Sequence, residues 1–307
     1  MGLKSQIWSN LLVGKDNAFL HNSSWFLKLG MNMDKFVENE AINFTHKGTI
    51  PGVTKNPTYP LTQINRADIP DSIPLAPYAS DEFILPKIDL HGLPYEKRAS
   101  VLVDHRAAIT DSLASEGIWN VSPFENTANT PLIDATGSVV NSYKLITGTD
   151  IINLRKALNK QFPGLKMAPW VLVLDTDSYW GLAASDEILK GQMIQKASIG
   201  NVNLQGINYH GFELYEDDRT PYYDAATSER MTYGASPVIG TDFRSATAFV
   251  ANKTFAKAVG KVELFDNPKD SSFQADRGSF LVHGYVGPLS LDLETNLTFM
   301  GGILRKP

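Results

Sequence analysis

The stretch PYEKRASVLVDHRAAITDSLASEGIW (94–119) is the longest uninterrupted helical pattern in the chain, and its surroundings decide the fold. Ala99, Leu102, Ile109 and Leu113 recur at three- and four-residue steps, with Arg106 interrupting the row. The apolar face is therefore narrow, while Glu96, Lys97, Asp104, His105 and Asp111 are expected to point elsewhere. Pro94 suits a first-turn position, where its missing N–H costs nothing, and Gly117 suits a stop. A long strut lying on a sheet is expected.

Working outward toward the N-terminus, the chain changes in kind. AINFTH (41–46) reads as a strand, after which prolines stand at 51, 57, 60, 70, 74, 77, 86 and 94. Eight of the chain's 17 prolines thus fall within 51–94, too dense for a helix or a central strand. Alternation at Ile69, Ile73 and Leu75, then Phe83 and Leu85, predicts two edge-type strands running out and back around a tip near Lys55 to Arg66. Arms of roughly twenty residues would reach ~60 Å at ~3.3 Å per residue. A compact domain built from the rest of the chain has a radius of gyration of only ~18 Å. Such a loop overshoots its own body and needs a surface to lie on, which a neighbouring subunit would supply. Before it, Leu3, Ile7 and Leu11, with Trp8 and Leu12, predict a short amphipathic helix on an arm, which either caps its own core or docks on another copy.

On the C-terminal side, the polar stretch SPFENTANTPLIDATGSVVNS (122–142) marks a boundary. DIINLRKALNKQF (150–162) predicts an amphipathic helix stopped by Pro163-Gly164, and WVLVL (170–174) a buried strand. In the DTDSYW stretch that follows, Thr176, Asp177 or Ser178 is expected to cap a short helix. GFELYED (211–217), TAFVAN (247–252), KVELFDN (261–267) and RGSFLVHGYVGPLSLDL (277–293) read as further strands, with a turn at Asn267-Pro268. Gly301-Gly302 reads as a turn.

Composition narrows the function. The net charge of -5 and the pI of about 5.7 provide no basic footprint for tight nucleic-acid binding. Zero cysteines exclude disulfides, thiolate metal sites and cysteine nucleophiles. The N-terminal stretch lacks the continuous apolar core of a signal peptide, and no run reaches eighteen apolar residues, so neither secretion nor a membrane span is expected.

The best enzymatic lead is Asp175-Thr176-Asp177 after the WVLVL strand, since paired carboxylates at a strand's end hold Mg²⁺ in phosphoryl- or glycosyl-transfer enzymes. The plainer reading, a strand-to-helix turn with a capping carboxylate, is preferred. The six histidines are dispersed, no metal site is expected from them, and no cofactor fingerprint occurs. Glu216-Asp217-Asp218 is expected to be a solvated loop.

The order of these parts resembles the tailed-bacteriophage major capsid proteins of the Hong Kong 97-like fold, across essentially the whole chain. GLKSQIWSNLLVGK (2–15) looks like that family's N-terminal arm, HKGTIPGVTKNPTYPLTQINRADIPDSIPLAPYASDEF (46–83) like its extended loop, and YEKRASVLVDHRAAITDSLASEGI (95–118) like its spine helix. WVLVLDTDSYWGLAASDEILKG (170–191), GINYHGFELYEDD (206–218) and TAFVANKTFAKAVGKVELF (247–265) are similar to its axial domain.

The resemblance implies an α+β chain divided into an arm (1–33), the extended loop with its base strands (34–88), a peripheral domain with the spine helix (89–123), an axial domain (124–258) and a return to the peripheral domain (259–307). It implies a non-enzymatic shell protein, without cofactor, that forms hexamers and pentamers in an icosahedral virion enclosing double-stranded DNA. Assembly would take place in the host cytoplasm. The partners it implies are other copies of the chain, portal and scaffolding proteins, a decoration protein in some members, and DNA contacted weakly, with no membrane. Because Met1 stands almost directly at the arm, a separate scaffolding protein is expected. Trp8, Lys47, Lys55, Tyr59, Arg66 and Arg98 are the expected inter-subunit contacts. An encapsulin-type compartment shell on the same fold, and the Mg²⁺-dependent enzyme above, are the alternatives.

Overall fold

A computed structural model describes residues 24–48, 52–61, 63, 67–86, 97–198, 206–270, 275–289 and 298–307. In chain order its elements begin with α1 (Trp25–Lys28), β1 (Met31–Asn32), β2 (Val37–Glu38), β3 (Ala41–His46), β4 (Ile69–Pro74), β5 (Ala76–Ala79), β6 (Phe83–Pro86) and α2 (Lys97–Asn120). Next come β7 (Leu132–Asp134), β8 (Val139–Val140), β9 (Tyr143–Lys144), α3 (Gly148–Gln161), β10 (Trp170–Leu174), α4 (Thr176–Ser185) and α5 (Glu187–Ser198). The chain closes with β11 (Ile207–Tyr209), β12 (Phe212–Glu216), β13 (Tyr222–Tyr223), β14 (Phe243–Val250), β15 (Phe255–Asp270), β16 (Ala275–Pro288) and β17 (Met300–Arg305). The α+β class expected from the sequence is the observed one.

Two compact units divide the chain, one built from 1–114, 256–286 and 290–296, the other from 115–255, 287–289 and 297–307. In the first, β15 and β16 are neighbours in a sheet that β1 extends in parallel, while β5 and β6 pair antiparallel with successive stretches of β16. The helix α2 lies on this sheet. Ile109 and Leu113 are buried, and a Cβ added at Gly284 on β16 would come within 3.2 Å of the Leu113 side chain. Asp104 and Asp111 face solvent as expected, whereas His105 does not. Its ring packs 5.5 Å from Phe83 and 5.6 Å from Phe280, and burial pushes its pKa below the ordinary value. Pro94 and Glu96 lie outside the described residues, as do the side chains of Ala99 and Leu102.

Gly117 does not stop the helix. The Val121 amide still donates to the Gly117 carbonyl at 3.0 Å, and Ile118 and Val121 are fully buried. Termination falls to Arg230, whose Nη1 donates to the carbonyls of Trp119 and Ser122 at 2.5 Å while its guanidinium lies 3.8 Å over the Trp119 ring. A cation thereby satisfies the terminal carbonyls that a left-handed glycine otherwise leaves to its own backbone.

The second unit is organised on a seven-stranded sheet ordered β11-β12-β10-β14-β17-β7, with β13 beside β14. All five residues of β10 are buried, as its unbroken apolar run predicts, and it pairs parallel with β12 and antiparallel with β14. Helix α3 packs its Ile151, Leu154 and Leu158 into the core with no exposure, each contributing roughly 1.5–3 kcal/mol of transfer free energy. A capping box fixes its start: Thr147 Oγ1 accepts from the Asp150 amide, and the Asp150 carboxylate accepts from the Thr147 amide at 2.9 Å.

Two expected turns are absent for identifiable reasons, one in each unit. Gly301-Gly302 is no turn but the interior of β17, between β14 and β7. A Cβ on Gly302 would stand 2.7 Å from the Ala246 carbonyl oxygen and one on Gly301 3.0 Å from Leu158, so these glycines serve close packing. Finally, β15 runs straight through Asn267-Pro268. Among the described residues β1 pairs only with Ala256 and Lys257, so the far end of β15 has a side on which a proline costs no ladder hydrogen bond.

Candidate inter-subunit surface

The strongest departure from a self-contained chain is the hairpin of β3 and β4 in the first unit. Six residue pairs join them, from Ala41↔Pro74 to His46↔Ile69. Asn39 and Glu40, both in the left-handed region at φ 52 and 59, make the tight two-residue turn that starts β3 from β2. β4 is the edge of its sheet, which is where prolines 70 and 74 are tolerated. The paired arms span about 20 Å at ~3.3 Å per residue, shorter than the twenty-residue arms expected. The chain instead leaves the ladder at Gly48, where a Cβ would stand 2.2 Å from the Ala67 carbonyl oxygen, so only glycine permits that crossing. Beyond it, residues 52–61 form no strand and are exposed throughout.

The hairpin is held by polar contacts and by its base. His46 Nε2 lies 2.9 Å from Asp71 Oδ2, and this hydrogen bond holds the Asp71 carboxyl below its usual range. The Gly48 amide donates to Asp68 at 2.8 Å. At the base, Ile42 and Leu75 are buried, and the Leu75 amide donates to the Glu40 carbonyl at 2.9 Å. Outside the base, five of the six β4 residues are exposed. Val53 is 99% exposed, Tyr59 77%, Leu61 55% and Ile69 51%, so a row of large apolar groups stands in solvent.

Of the expected contact residues, Lys47, Lys55 and Tyr59 are exposed on this hairpin and the stretch beyond it. Lys55 and Tyr59 share the 52–61 stretch, and Lys47 directly follows β3. Trp8 and Arg66 lie outside the described residues, and Arg98 belongs to α2 with its side chain likewise outside them. Ile69 reads from the sequence only as part of a strand, and Val53 and Leu61 are not singled out there. The signal of those two is an apolar residue isolated among prolines and polar residues, with no partner at strand or helix spacing.

The Asp175 turn is occupied by other work. Asp175 is fully buried and caps α4 by accepting from the Ser178 amide at 3.3 Å, so neither Thr176, Asp177 nor Ser178 is the cap. Its carboxylate pairs with the equally buried Arg305, and Arg244 Nη1 stands 3.8 Å away. Asp177 accepts from Asn141 at 3.2 Å. Glu216-Asp217-Asp218 is a bonded corner instead of a solvated loop: Arg219 grips Asp217 at 2.6 and 2.8 Å, and Asp218 accepts from Arg244 at 2.6 Å and Thr176 Oγ1 at 2.8 Å. Among the described residues no group of three or more His, Asp or Glu converges as a metal site would require. The legible signal was Arg305, a lone arginine in the otherwise apolar MGGILR strand, which demands a buried carboxylate.

No protein-family model matches the chain, and no curated protein matches it. Solved structures do. The capsid of Ralstonia phage GP4 aligns with a TM-score of 0.60 at 10% identity, over 91% of this chain and 87% of that one. The capsid of cyanophage Pam1 aligns at 0.58 and 9% identity, over 89% and 88%. The capsid of cyanophage P-SCSP1u aligns at 0.56 and 15% identity, over 90% and 86%. With nearly full coverage in both directions, the chain has the fold of these phage capsid chains.

Proposed function

We propose that this chain is the major capsid protein of a tailed bacteriophage, assembling as hexamers and pentamers into an icosahedral, Hong Kong 97-like head around double-stranded DNA. The observation that carries this reading is the hairpin with the stretch beyond it, where Val53, Tyr59, Leu61 and Ile69 find no cover in their own unit. A neighbouring copy is the natural cover, and weak contacts suffice when each subunit makes many. The negative net charge suits a wall that encloses DNA without gripping it. On this reading Lys47, Lys55 and Tyr59 meet a neighbour, portal and scaffolding proteins join during assembly in the host cytoplasm, and the chain does no chemistry.

Electron microscopy of particles from cells expressing the chain tests this directly. Closed shells or capsomers are expected, with nucleic acid inside native particles; a cargo protein there instead would identify an encapsulin-type compartment. A strictly monomeric species at high concentration, with residues 47–75 protected from protease, would overturn the proposal.

A further inference from the structure

We infer that His105 is a proton-operated latch between α2 and the sheet of the first unit. Uncharged, its imidazole closes a box formed with Phe83 and Phe280; charged, it leaves that box for the adjoining groove, where Asp81 and Asp104 stand. The latch is local to one chain and does not depend on assembly.

The box follows from the strand register. β6 and β16 pair antiparallel, with Phe83 opposite Gly278. A Cβ on Gly278 would come within 2.7 Å of the Phe83 ring, so the missing side chain makes room for that ring. Phe280, two residues along β16, lies on the same face of the sheet, and its ring centroid is 5.9 Å from that of Phe83. Both phenylalanines are buried, and the His105 ring completes the set at 5.5 and 5.6 Å. The turn between β5 and β6 is tied to the same place. The Ser80 amide donates to the Phe280 carbonyl at 2.8 Å, and the Phe280 amide donates to Ser80 Oγ at 2.9 Å.

Beside the box, between that turn and α2, runs a groove of about 540 Å³ whose lining includes Pro77, Tyr78, Asp81, Asp104, His105 and Ile109. Asp81 and Asp104 are exposed on it. His105 therefore stands on a border, aromatic on one side and acidic on the other. Among the described residues, α2 places Asp104 before it and half-buried Arg106 after it, and the turn contributes Asp81. Glu82 is engaged by Arg277 Nη2 at 2.5 Å, while β6 and β16 face the imidazole with uncharged rings.

Burial lowers the His105 pKa, partly opposed by Asp104 and Asp81. The unfolded chain thus binds this proton more tightly than the closed box does. Closure is fully present above the ordinary histidine value of about 6.5 and is lost as pH falls through the lowered one.

Hydrogen exchange of the full chain, read by mass spectrometry and corrected for the intrinsic rate at each pH, follows the latch through peptides containing Phe83, His105 and Phe280. Between pH 7.5 and about 5 their exchange is expected to rise about tenfold in the wild type. His105→Phe and His105→Gln, neither of which titrates, are expected to lose that rise, and circular dichroism at pH 7.5 verifies that each folds. Asp81→Asn/Asp104→Asn removes the carboxylates that receive the imidazolium, so the pH at which exchange rises should drop by about one unit. A box that stays shut on protonation, held by the attraction of its rings for a cation, would show no rise in the wild type and would overturn the inference. The same rise in both His105 variants, or a midpoint unmoved by the paired Asp substitutions, overturns it as well.

Discussion

The seven-stranded sheet and the β3–β4 hairpin are both regular backbone ladders, yet they end in opposite states. Every residue of β10 is buried, while five of the six residues of β4 are exposed. Hydrogen-bonded geometry therefore says little about where a strand's stability comes from. The sheet is stabilised by its own core, with Trp170, Phe212 and Leu158 inside it. The hairpin is held by its base and by pairs such as His46–Asp71. What it adds to an assembly is area, and area counts only once it is covered.

Three substitutions break or sharpen this contrast. Arg305→Met leaves the buried Asp175 carboxylate with the Ser178 amide and with Arg244 as a charged neighbour only at 3.8 Å. Loss of one partner of a buried pair costs about 3–5 kcal/mol, so the urea midpoint of the second unit, followed by tryptophan fluorescence, should fall steeply. Asp175→Asn combined with Arg305→Met should recover much of the loss, and an unchanged midpoint in the single variant would show that the pair does not hold the sheet.

Lys257 asks a smaller question of the unit that carries the hairpin. Its ammonium is buried and donates to the Leu27 carbonyl at 2.5 Å; burial pulls its pKa down to about 8, partly opposed by Asp34. The unfolded chain therefore binds this proton more tightly than the folded one between pH 8 and 10.5. The lysine's contribution is fully present above 10.5 and lost as pH falls through about 8. Relative to wild type, Lys257→Met should gain about 1–2 kcal/mol at pH 7 after solvent screening, with the advantage shrinking toward pH 10. A difference between the two melting curves that does not vary with pH would remove the lysine from the account.

The smallest expected effect on the chain itself is the most informative about assembly. Val53→Ser/Tyr59→Ser changes two groups that touch little in their own unit, so unfolding stability should stay within about 0.5 kcal/mol of wild type. Particle yield, read by sedimentation, should nevertheless drop. A destabilised chain would mean the hairpin folds onto its own body, and unaltered yield would mean these two groups face solvent in the shell.

Much of the fold was legible because local pattern and tertiary role agreed. Continuous apolar WVLVL made a central strand, four-residue spacing made α3, and proline density marked an edge. The misses share a cause, which is that long-range partners reassigned a local signal. Gly117 reads as a stop until Arg230, over a hundred residues away, supplies the cap. Gly301-Gly302 reads as a turn until Ala246 and Leu158 crowd the strand. Asp175 caps its helix as the preferred reading had it, but its complete burial makes sense only with Arg305, 130 positions later. For the expected contact residues the prolines marked an exposed segment, but periodicity had no purchase on Val53 or Leu61, whose exposure follows from what they fail to touch.

The pairing of β17 also sets an order in time. Its partners β14 and β7 lie some 60 and 170 positions earlier in the chain, whereas β3 and β4 are joined by a short excursion. Local ladders form quickly and distant ones pay the loop-closure entropy first. The hairpin is therefore expected to be displayed, with its apolar row in water, before the sheet of the second unit closes. On the proposed shell reading, the chain could already recognise a neighbour with one part during that interval while the other is unfinished, and concentration would then decide between productive pairing and aggregation.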